Sequence, residues 1–393
     1  MEYRLDKKTG NKLSVLGMGC MRLPRGVAGI DMQRTELAIL TAFERGINYF
    51  DTAYAYSGSE EALGEVVERN NLRQHIYITS KLPHGKVRSV DDAERLFTTS
   101  LERLRTDYLD YYLIHNVVTF DQWQRLVDLG IEDWIAQKKA SGQIRRIGFS
   151  FHGGIAEFRQ LLESYDWDLV QIQYNYVNEH YQAGREGMEL AASKDIPVVV
   201  MEPLLGGRLA TGLPKKAAAE LAKVDPRRSP ASWGLRWLFD QPEVTVVLSG
   251  MNSEEMVDEN CETAATTAPG SMTEREHEAI HAARDAFQEG FKVPCTGCNY
   301  CMPCPQGLSI PSMFAAYNES YSLGWYTGFF HYMLSIGVTS GDPRLASGCI
   351  GCGACVKKCP QHIEIPDRLG DVRRRLEPPG LKGALKIAQP FLS

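Results

Sequence analysis

The placement of the cysteines constrains what this chain can fold into more than any other feature of its sequence. Ten cysteines occur in 393 residues, and eight of them lie between residues 295 and 359 in two runs of four, CTGCNYCMPC and CIGCGACVKKC, each followed by a proline. The eight positions are Cys295, Cys298, Cys301, Cys304, Cys349, Cys352, Cys355 and Cys359. Cys20 and Cys261 stand apart from both runs, and we do not expect them to ligate a cluster.

The spacing of the second run, C-x2-C-x2-C-x3-C-P, is that of a [4Fe-4S] ligand run, and the first run is the same pattern short by one residue. Both runs resemble those of two-cluster ferredoxins, in which the fourth cysteine of each run ligates the other cluster. The resemblance implies one cluster held by Cys295, Cys298, Cys301 and Cys359 and a second held by Cys349, Cys352, Cys355 and Cys304.

Zinc is the alternative metal, because zinc sites of four cysteines are also built from C-x2-C pairs. Such sites normally use two pairs, and this chain has two runs of four that each end in a Cys-Pro step. Disulfides are not expected, since the N-terminal sequence MEYRLDKKTG lacks the apolar core of a secretory signal. The sequence therefore favours iron-sulfur clusters in a cytoplasmic protein.

Charge and length divide the chain in two. There are 49 acidic residues against 43 lysines and arginines, a formal net charge of -6, and a basic excess typical of nucleic-acid or membrane-surface binding is absent. Residues before Phe291 carry a net charge of -10 and the rest carry +4. We predict a first domain over residues 1–290, a second over 291–378 and a C-terminal tail over 379–393.

The first domain alternates short apolar runs with amphipathic stretches. Continuous apolar runs of this length are typical of strands buried on both faces. Eight are predicted, at Leu13–Gly19, Tyr49–Asp51, His75–Lys81, Tyr108–His115, Ile144–Ser150, Leu169–Tyr174, Pro197–Met201 and Val244–Leu248. Helices are predicted between them, with Asp31 and Asp91 as start signals of two. Eight strand-helix units in one domain of this size predict a (β/α)8 barrel, with an open doubly wound sheet as the alternative.

Polar side chains occur where three consecutive strands of this barrel end. Asp51 ends the second strand and is followed five residues later by Tyr56, Lys81 ends the third strand, and His115 ends the fourth. Because chemistry in such barrels occurs at the carboxyl ends of the strands, we expect these four groups to converge. A lysine charge beside a phenol lowers the phenol's pKa and makes it a better proton donor near neutral pH. Taken singly, each residue has a structural explanation, as a helix cap, a solvated charge or a core histidine.

The segments INYFDTAYAY, YITSKL, LDYYLIH, RRIGFS and VLSGMN resemble the aldo-keto reductases over residues 12–289. The resemblance implies a catalytic tetrad of Asp51, Tyr56, Lys81 and His115, hydride transfer from NAD(P)H to a carbonyl carbon, and protonation of the developing alkoxide by Tyr56. It also implies a set of cofactor contacts. These are Gly19, Cys20, Met21, Ser150, Gln171, Met201, Ser249, Gly250, Asn252 and Asn260.

The segment expected to bind the adenosine end of the cofactor differs in sequence from the family pattern. Members that bind a 2'-phosphate often place Lys and Arg in the segment aligned with Gly250 to Met256, which here is GMNSEEM with Glu254 and Glu255. Carboxylates repel a phosphate dianion, so the sequence favours NADH over NADPH. Arg208 and Arg228, in the loop after the seventh strand, are the basic residues that could reverse this preference.

The 44 residues between the cysteine runs resemble the α-helical ferredoxin domains of larger redox enzymes. They include the aromatic stretch from Leu323 to Val338, which is shorter than the roughly 18 residues of a membrane span and is expected to pack over the clusters. A partner-docking or membrane-adjacent surface is the alternative for this stretch. The substrate is a small molecule whose identity depends on loops around Trp123, Phe151, His152 and Tyr176.

Nicotinamide transfers two electrons as hydride, whereas each cluster transfers one. A flavin such as FMN, or a substrate that forms a radical, would separate the pair, and Gly206–Leu209 or Ser249–Asn252 could hold a flavin phosphate. Three functions remain open. The clusters relay electrons between the barrel and a ferredoxin-like partner, or they are structural in a carbonyl reductase, or the chain is a non-enzymatic redox sensor or partner-binding module.

Overall fold

The structure is a computed structural model that describes residues 1–26, 29–322, 324–338 and 343–385. The chain divides into two compact units, which we name the barrel unit, Met1–Leu204 with Ala231–Glu274, and the cysteine unit, Leu205–Pro230 with Arg275 onward. The segment Leu205–Pro230 groups with the cysteine-bearing residues although barrel strands precede and follow it in sequence. Leu323 and residues 386–393 of the predicted tail lie outside the described residues.

Eight parallel strands form a closed barrel, which confirms the predicted fold class. Each strand pairs with its neighbours in sequence, and the eighth pairs with the first. The strands are β1 (Leu16–Gly19), β2 (Tyr49–Asp51), β3 (Tyr77–Leu82), β4 (Leu109–Val117), β5 (Ile144–Phe151), β6 (Leu169–Gln173), β7 (Val198–Met201) and β8 (Val244–Ser249). They lie within or close to the predicted runs because those runs are apolar and β-branched enough to be buried on both faces.

The first strand begins later than predicted. Leu13 belongs to a separate strand, Lys12–Ser14, which pairs antiparallel with Tyr3–Leu5 and is not part of the barrel. The Ser14 hydroxyl donates a hydrogen bond of 2.7 Å to the carbonyl of Leu16, at the point where the chain enters β1. Apolar character alone does not separate these two strands, since both are largely buried.

Helices follow the strands in the barrel unit. They are α1 (Met32–Glu44), α2 (Ser59–Arg69), α3 (Val90–Leu104), α4 (Phe120–Asp128), α5 (Ile131–Ala140), α6 (Ile155–Glu163), α7 (Gly184–Ser193), α9 (Pro230–Phe239) and α10 (Glu254–Ala265). Asp31 caps α1 as predicted, because its carboxylate accepts the Arg34 N–H. At α3 the cap is Ser89, and Asp91 lies in the first turn, where a carboxylate still stabilises the helix dipole.

Alternation along the strands decides which side chains enter the barrel. Tyr49, Tyr111, Leu113, Leu169 and Val199 belong to one buried cluster. Residues two positions further along the same strands point to the same side, because side chains alternate with a period of two. The inward positions that follow this apolar layer carry Asp51 on β2, His115 on β4, Gln171 on β6 and Met201 on β7. Three polar side chains and Met201 therefore follow the apolar layer of the barrel interior.

The cysteine unit is mainly helical. Its helices are α8 (Lys215–Ala222), α11 (Glu274–Gly290, whose first residue lies in the barrel unit), α12 (Ile310–Ser322), α13 (Trp325–Ser335) and α14 (Ile365–Leu376). Helices α12 and α13 approach closely at Gly328, where an added Cβ would lie 2.5 Å from Ser320. The buried Asn318 side chain accepts the N–H groups of Lys292 and Val293 at 3.0 and 2.9 Å. It thereby ties α12 to the segment that leads into the first cysteine run.

An internal repeat follows the cysteines. Residues 304–311 read CPQGLSIP and residues 359–366 read CPQHIEIP, and each segment leads into a helix, α12 or α14, that starts at its isoleucine. The third residue after the cysteine has a positive φ in both copies, 71° at Gly307 and 50° at His362. The two halves thus share one local backbone design.

Within the described part of the chain, no helix is both long enough and apolar enough to cross a membrane. The aromatic helix α13 has 11 residues.

Candidate active site and cluster sites

The four residues predicted to act together lie at the carboxyl ends of β2, β3 and β4. Lys81 lies two residues beyond Thr79, which is the register partner of Asp51 on the neighbouring strand. The Lys81 ammonium donates to the Asp51 carboxylate at 2.6 Å and to the Thr52 carbonyl at 2.8 Å. Both side chains are buried, Lys81 completely and Asp51 at 3% exposure. Lys81 and Asp51 therefore form a buried ion pair at the ends of these strands.

Burial is the main influence on both members of this pair. It raises the pKa of Asp51 and lowers the pKa of Lys81, because burial disfavours both charged forms. Their mutual attraction and hydrogen bond oppose both shifts. The second carboxylate oxygen of Asp51 is buried and has no hydrogen-bond partner among the described residues. Lys81 is thus the hydrogen-bond partner of the Asp51 carboxylate among the described residues.

Tyr56 and His115 lie beside the pair. The Lys81 ammonium is 5.1 Å from the centre of the Tyr56 ring, and the Tyr56 and His115 rings meet edge-on with centres 5.8 Å apart. Burial, followed by the charge of Lys81, holds the pKa of His115 well below its usual value. His115 is therefore a neutral imidazole at neutral pH and can donate one N–H or accept one hydrogen bond. The structure brings all four predicted residues together.

Two predicted cofactor contacts face each other across β5 and β6. Ser150 and Gln171 are register partners, and both are 2% exposed. The Ser150 hydroxyl accepts the Asn116 N–H at 2.7 Å, and the Gln171 amide donates to the Met201 sulfur at 3.6 Å. The Gln171 carbonyl oxygen is buried, with no hydrogen-bond partner in the described ranges. Such an acceptor fits the amide N–H of a nicotinamide carboxamide.

The remaining predicted contacts lie around β1 and β8. Ser249 pairs in register with Met18 on β1, and the Asn260 amide donates to its hydroxyl at 3.1 Å. Asn260 is 4% exposed, so it is a buried polar residue. The Cys20 thiol is also buried, and its pKa is raised by that burial and by Asp51.

The backbone around these contacts is exposed to different degrees. Gly19, Met21 and Asn252 are half-buried, whereas Gly250 is exposed beside the Arg22 side chain. Glu254 and Glu255 occupy the first turn of α10, whose cap is the Ser253 hydroxyl. Neither Arg208 nor Arg228 belongs to the barrel unit.

Sequence reasoning missed Asn116. This residue follows His115, has a positive φ of 60°, and its side-chain oxygen is buried without a hydrogen-bond partner among the described residues. Asn is one of the few residues that adopt the left-handed conformation readily, and an Asn directly after a strand-end His was the available signal. Its backbone N–H fixes the Ser150 hydroxyl, so it belongs to the same site.

The two cysteine runs have the same backbone conformation through their first three cysteines. In the second run Gly351 and Gly353 have φ of 66° and 70°. At the matching positions of the first run, Gly297 and Asn299 have φ of 69° and 66°. Left-handed residues at these two places let a short loop direct its thiols to one side, and Asn is the usual substitute for Gly there.

These loops line two cavities in the cysteine unit. Cavity I is lined by Cys295, Cys298, Cys301 and Cys359 together with apolar side chains such as Phe314. Cavity II is lined by Cys304, Cys349, Cys352 and Cys355, and Cys301 also lines it. The fourth cysteine of each run therefore reaches the cavity of the other run. Four thiols around each cavity fit two cubane clusters.

Electrostatic contacts agree with this grouping. Burial raises the pKa of Cys301, and the charges of Cys295, Cys298 and Cys359 raise it further. The pKa of Cys355 is raised in the same way by burial and by Cys349 and Cys352. Among the described residues, no three Cys, His, Asp or Glu side chains gather closely enough to enclose a single metal ion.

One further contact reaches a proposed cluster ligand. The Arg208 guanidinium donates to the Cys295 carbonyl at 3.1 Å and lies 5.7 Å from the centre of the Phe291 ring. Arg228 pairs with Glu276 at 2.7 Å in the same unit. Arg208 and Arg228 are therefore both engaged within the cysteine unit.

Two family models match the chain. The aldo/keto reductase family matches residues 15–281, and a 4Fe-4S dicluster domain matches residues 294–364. Methylglyoxal reductase YeaE of Escherichia coli is 31% identical over 261 residues, which cover 63% of this chain and 84% of that protein.

Solved aldo-keto reductases have the same fold. One from Bacillus halodurans has a TM-score of 0.59 and 24% identity, and covers 72% of this chain and 96% of its own. One from Klebsiella pneumoniae in complex with NADPH has a TM-score of 0.59 and 22% identity, and covers 71% and 94%. The chain belongs to the aldo/keto reductase family of oxidoreductases and carries a 4Fe-4S dicluster domain in its C-terminal part.

Proposed function

We propose that this protein reduces a carbonyl compound with NAD(P)H at the mouth of the barrel. The observation that carries this proposal is the grouping of a phenol, an ammonium and a neutral imidazole. The Lys81 ammonium lies 5.1 Å from the Tyr56 ring, and the Tyr56 and His115 ring centres are 5.8 Å apart. The name of the Escherichia coli relative, a methylglyoxal reductase, supports a carbonyl substrate.

In this reaction a bound nicotinamide supplies hydride to the carbonyl carbon. Tyr56 transfers its phenolic proton to the carbonyl oxygen, whose negative charge increases as the carbon is reduced. Lys81 stabilises the resulting phenolate because its charge is held close to that ring. Asp51 keeps the ammonium oriented through the 2.6 Å hydrogen bond. His115, held neutral by burial, donates a hydrogen bond to the same carbonyl oxygen and orients it.

Ser150 and Gln171 would hold the carboxamide of the nicotinamide, and Ser249 with Asn260 would lie toward the adenosine end. We propose NADH as the preferred form. Glu254 and Glu255 occupy the first turn of α10, and Arg208 and Arg228 are engaged by other partners. The Klebsiella structure with NADPH is similar in fold only, since its identity is 22%.

The cysteines would hold two [4Fe-4S] clusters, cluster I in cavity I and cluster II in cavity II. We propose that they relay single electrons between the barrel site and a ferredoxin-like protein partner. The two clusters together can hold the two electrons of one hydride, one each. Separating the pair requires a flavin or a substrate with a stabilised radical. A cytoplasmic location suits this assignment, since ligand thiols must stay reduced.

Anaerobic purification followed by iron, sulfide and flavin determination tests the composition. About eight iron atoms per chain are expected for two cubanes. A flavin absorption band would identify the component that separates the electron pair. Zinc in place of iron would refute the cluster assignment.

A second measurement tests the relay itself. Addition of NADH without a carbonyl acceptor should change the electron paramagnetic resonance signal of the clusters, because the electrons of the hydride are then not consumed by carbonyl reduction. An unchanged signal would leave the alternative in which the clusters only stabilise the C-terminal fold. Full retention of activity in Tyr56→Phe would contradict the enzymatic assignment altogether and favour a redox sensor.

A further inference from the structure

The two cysteine loops differ in exposure, since the second loop is more exposed than the first at the matching positions of its first, second and fourth residues. In cavity I, Cys295 is 8% exposed and the neighbouring Thr296 is 4% exposed. In cavity II, Cys352 is exposed, and the adjacent Ile350 has 64% of its surface accessible. Ile350 also lines cavity II. Because electron tunnelling rates fall steeply with distance, a protein that approaches from outside reaches the second cluster more easily.

The loop around Cys352 is also positively charged. Lys357 and Lys358 are both exposed and follow Cys355 in a short 3-10 turn, and Arg344 is exposed before Cys349. Residues 343–358 contain these three basic residues and no acidic one. A basic rim around a small apolar centre is typical of transient docking surfaces, in which charge sets the encounter rate.

We propose that this surface, formed by Arg344, Ile350, Cys352, Lys357 and Lys358 and named the exit face, docks an acidic one-electron carrier protein. The inference rests on the relay in the proposed function and assigns its external end to cluster II. In each encounter the reduced cluster II returns to its oxidised state, and the carrier gains that one electron. Two carriers are reduced for each hydride that passes to the clusters in place of a carbonyl, after the flavin or radical-forming substrate of the proposed function has separated its two electrons.

Exposed apolar side chains also occur on helix α13, outside the exit face. Helix α13 presents Tyr326, Phe330 and Leu334 to solvent, with 85%, 61% and 52% of their surfaces exposed. No cysteine ligand is on that helix, and none of its residues lines either cavity. It serves here as a matched apolar surface without a cluster.

The test uses the full-length holoenzyme, reduced with dithionite and freed of excess reductant under anaerobic conditions. Reoxidation is followed by stopped-flow absorbance after mixing with an acidic plant-type ferredoxin or with the basic cytochrome c. The ferredoxin reaction should be at least about tenfold faster at low ionic strength than near 0.3 M salt. Cytochrome c should show the opposite salt dependence or none.

Charge reversal locates the surface. Lys357→Glu with Lys358→Glu should lower the second-order rate constant for ferredoxin by at least about tenfold at low salt. Arg373→Glu with Arg374→Glu, an equal charge change at exposed residues of α14, should lower it less than about twofold. Equal losses in both double variants would overturn the proposal, because the effect would then come from net charge alone.

A second comparison addresses the apolar centre. Ile350→Ser should slow the ferredoxin reaction several-fold, whereas Phe330→Ser, at a similarly exposed position, should not. Phe330→Ser as damaging as Ile350→Ser would overturn the proposal in favour of docking on α13. Phospholipid vesicles that suppress the ferredoxin reaction through the Ile350 position would indicate a membrane surface and would also overturn it.

Lys358 lines cavity II, so the double variant must retain its cluster. Iron content and the resonance signal report this, and Lys357→Glu alone, at a residue outside the cavity lining, gives the same test if Lys358→Glu loses iron. The relay is scored separately by reduction of the clusters with NADH. Clusters that NADH reduces, combined with insensitivity to Lys357→Glu, refute the exit face and leave the relay standing. Clusters that NADH never reduces refute the relay.

Discussion

In the barrel unit three proposed catalytic side chains come from strands and Tyr56 comes from the loop after β2, and they already contact one another. In the cysteine unit the eight thiols come from loops and face two cavities. Lys81 lies on a strand hydrogen-bonded on both sides, and its ammonium is 2.6 Å from Asp51. The cysteine loops depend instead on left-handed residues such as Gly351 and Gly353. A barrel site can therefore be preorganised without a ligand, while the thiols of a cluster site are held together by the cluster they bind.

The largest expected effect is a loss of carbonyl reduction at the barrel site with no change in the clusters of the cysteine unit. Tyr56→Phe removes the proposed proton donor and should lower kcat for carbonyl reduction by about 10²-fold to 10⁴-fold. Iron content and cluster spectra should not change. Tyr54→Phe is the matched control, because the Tyr54 ring lies over Arg103 and Lys86 and not over Lys81. A loss of iron in Tyr56→Phe would contradict the independence of the two regions.

Removing a cluster ligand should affect the cysteine unit and leave the activity of the barrel unit unchanged. Cys352→Ser should lose about half of the iron, because one of two cubanes loses a ligand. NADH-dependent reduction of an aldehyde per folded molecule should persist, and reduction of an external carrier should disappear. Cys261→Ser, a buried cysteine outside both runs, is the control.

The same approach tests the crossed ligation. Cys359→Ser should abolish the resonance signal of cluster I, and Cys304→Ser should abolish that of cluster II, because each thiol lines the cavity of the opposite run. If Cys359→Ser and Cys352→Ser remove the same signal, the crossed assignment is wrong.

The cofactor preference gives a smaller effect within the barrel. Glu254→Gln with Glu255→Gln removes two negative charges from the first turn of α10 and should shift the ratio of kcat/KM for NADPH over NADH upward by about tenfold. Steady-state kinetics with both cofactors measure this ratio. Glu262→Gln, near the end of the same helix, should leave it unaltered.

The buried His115 makes the barrel sensitive to acid. Its pKa is well below 6.5 in the folded protein, so below about pH 6.5 the unfolded chain binds a proton that the folded state does not. The free energy of unfolding should fall by up to about 1.4 kcal/mol for each pH unit below that value. His115→Gln should lack this part of the loss in denaturant titrations at pH 7.5 and 5.5. Identical pH dependence in both proteins would contradict a neutral buried ring.

The smallest expected effect concerns Arg208. Its guanidinium donates to the Cys295 carbonyl, so Arg208→Gln should lower the reduction potential of cluster I by tens of millivolts, because a nearby positive charge stabilises the reduced cluster. Arg208→Lys should retain most of the charge effect. Redox titration followed by electron paramagnetic resonance resolves the two clusters, and cluster II should be unaffected.

Much of the fold was predictable because its signals are local. The β-rich runs located all eight barrel strands, since a doubly buried strand needs an uninterrupted apolar sequence. The pairing partner of Leu13 could not be predicted in the same way, because the antiparallel strand that contains Leu13 and the first barrel strand are both apolar. The start of α3 shows a similar limit, because Ser89 and Asp91 are both good caps and only the backbone conformation distinguishes them.

The sequence by itself determined which residues carry the chemistry. The order of Asp51, Tyr56, Lys81 and His115 along three strand ends, and the spacing of the eight cysteines, predicted both candidate sites because each pattern spans only a few residues. Only the tertiary structure decided which groups meet across long separations. The link from Arg208 to Cys295 and the contact of Asn116 with Ser150 join residues that are 87 and 34 positions apart in the sequence. Such contacts depend on how whole elements pack, and no local pattern encodes that packing.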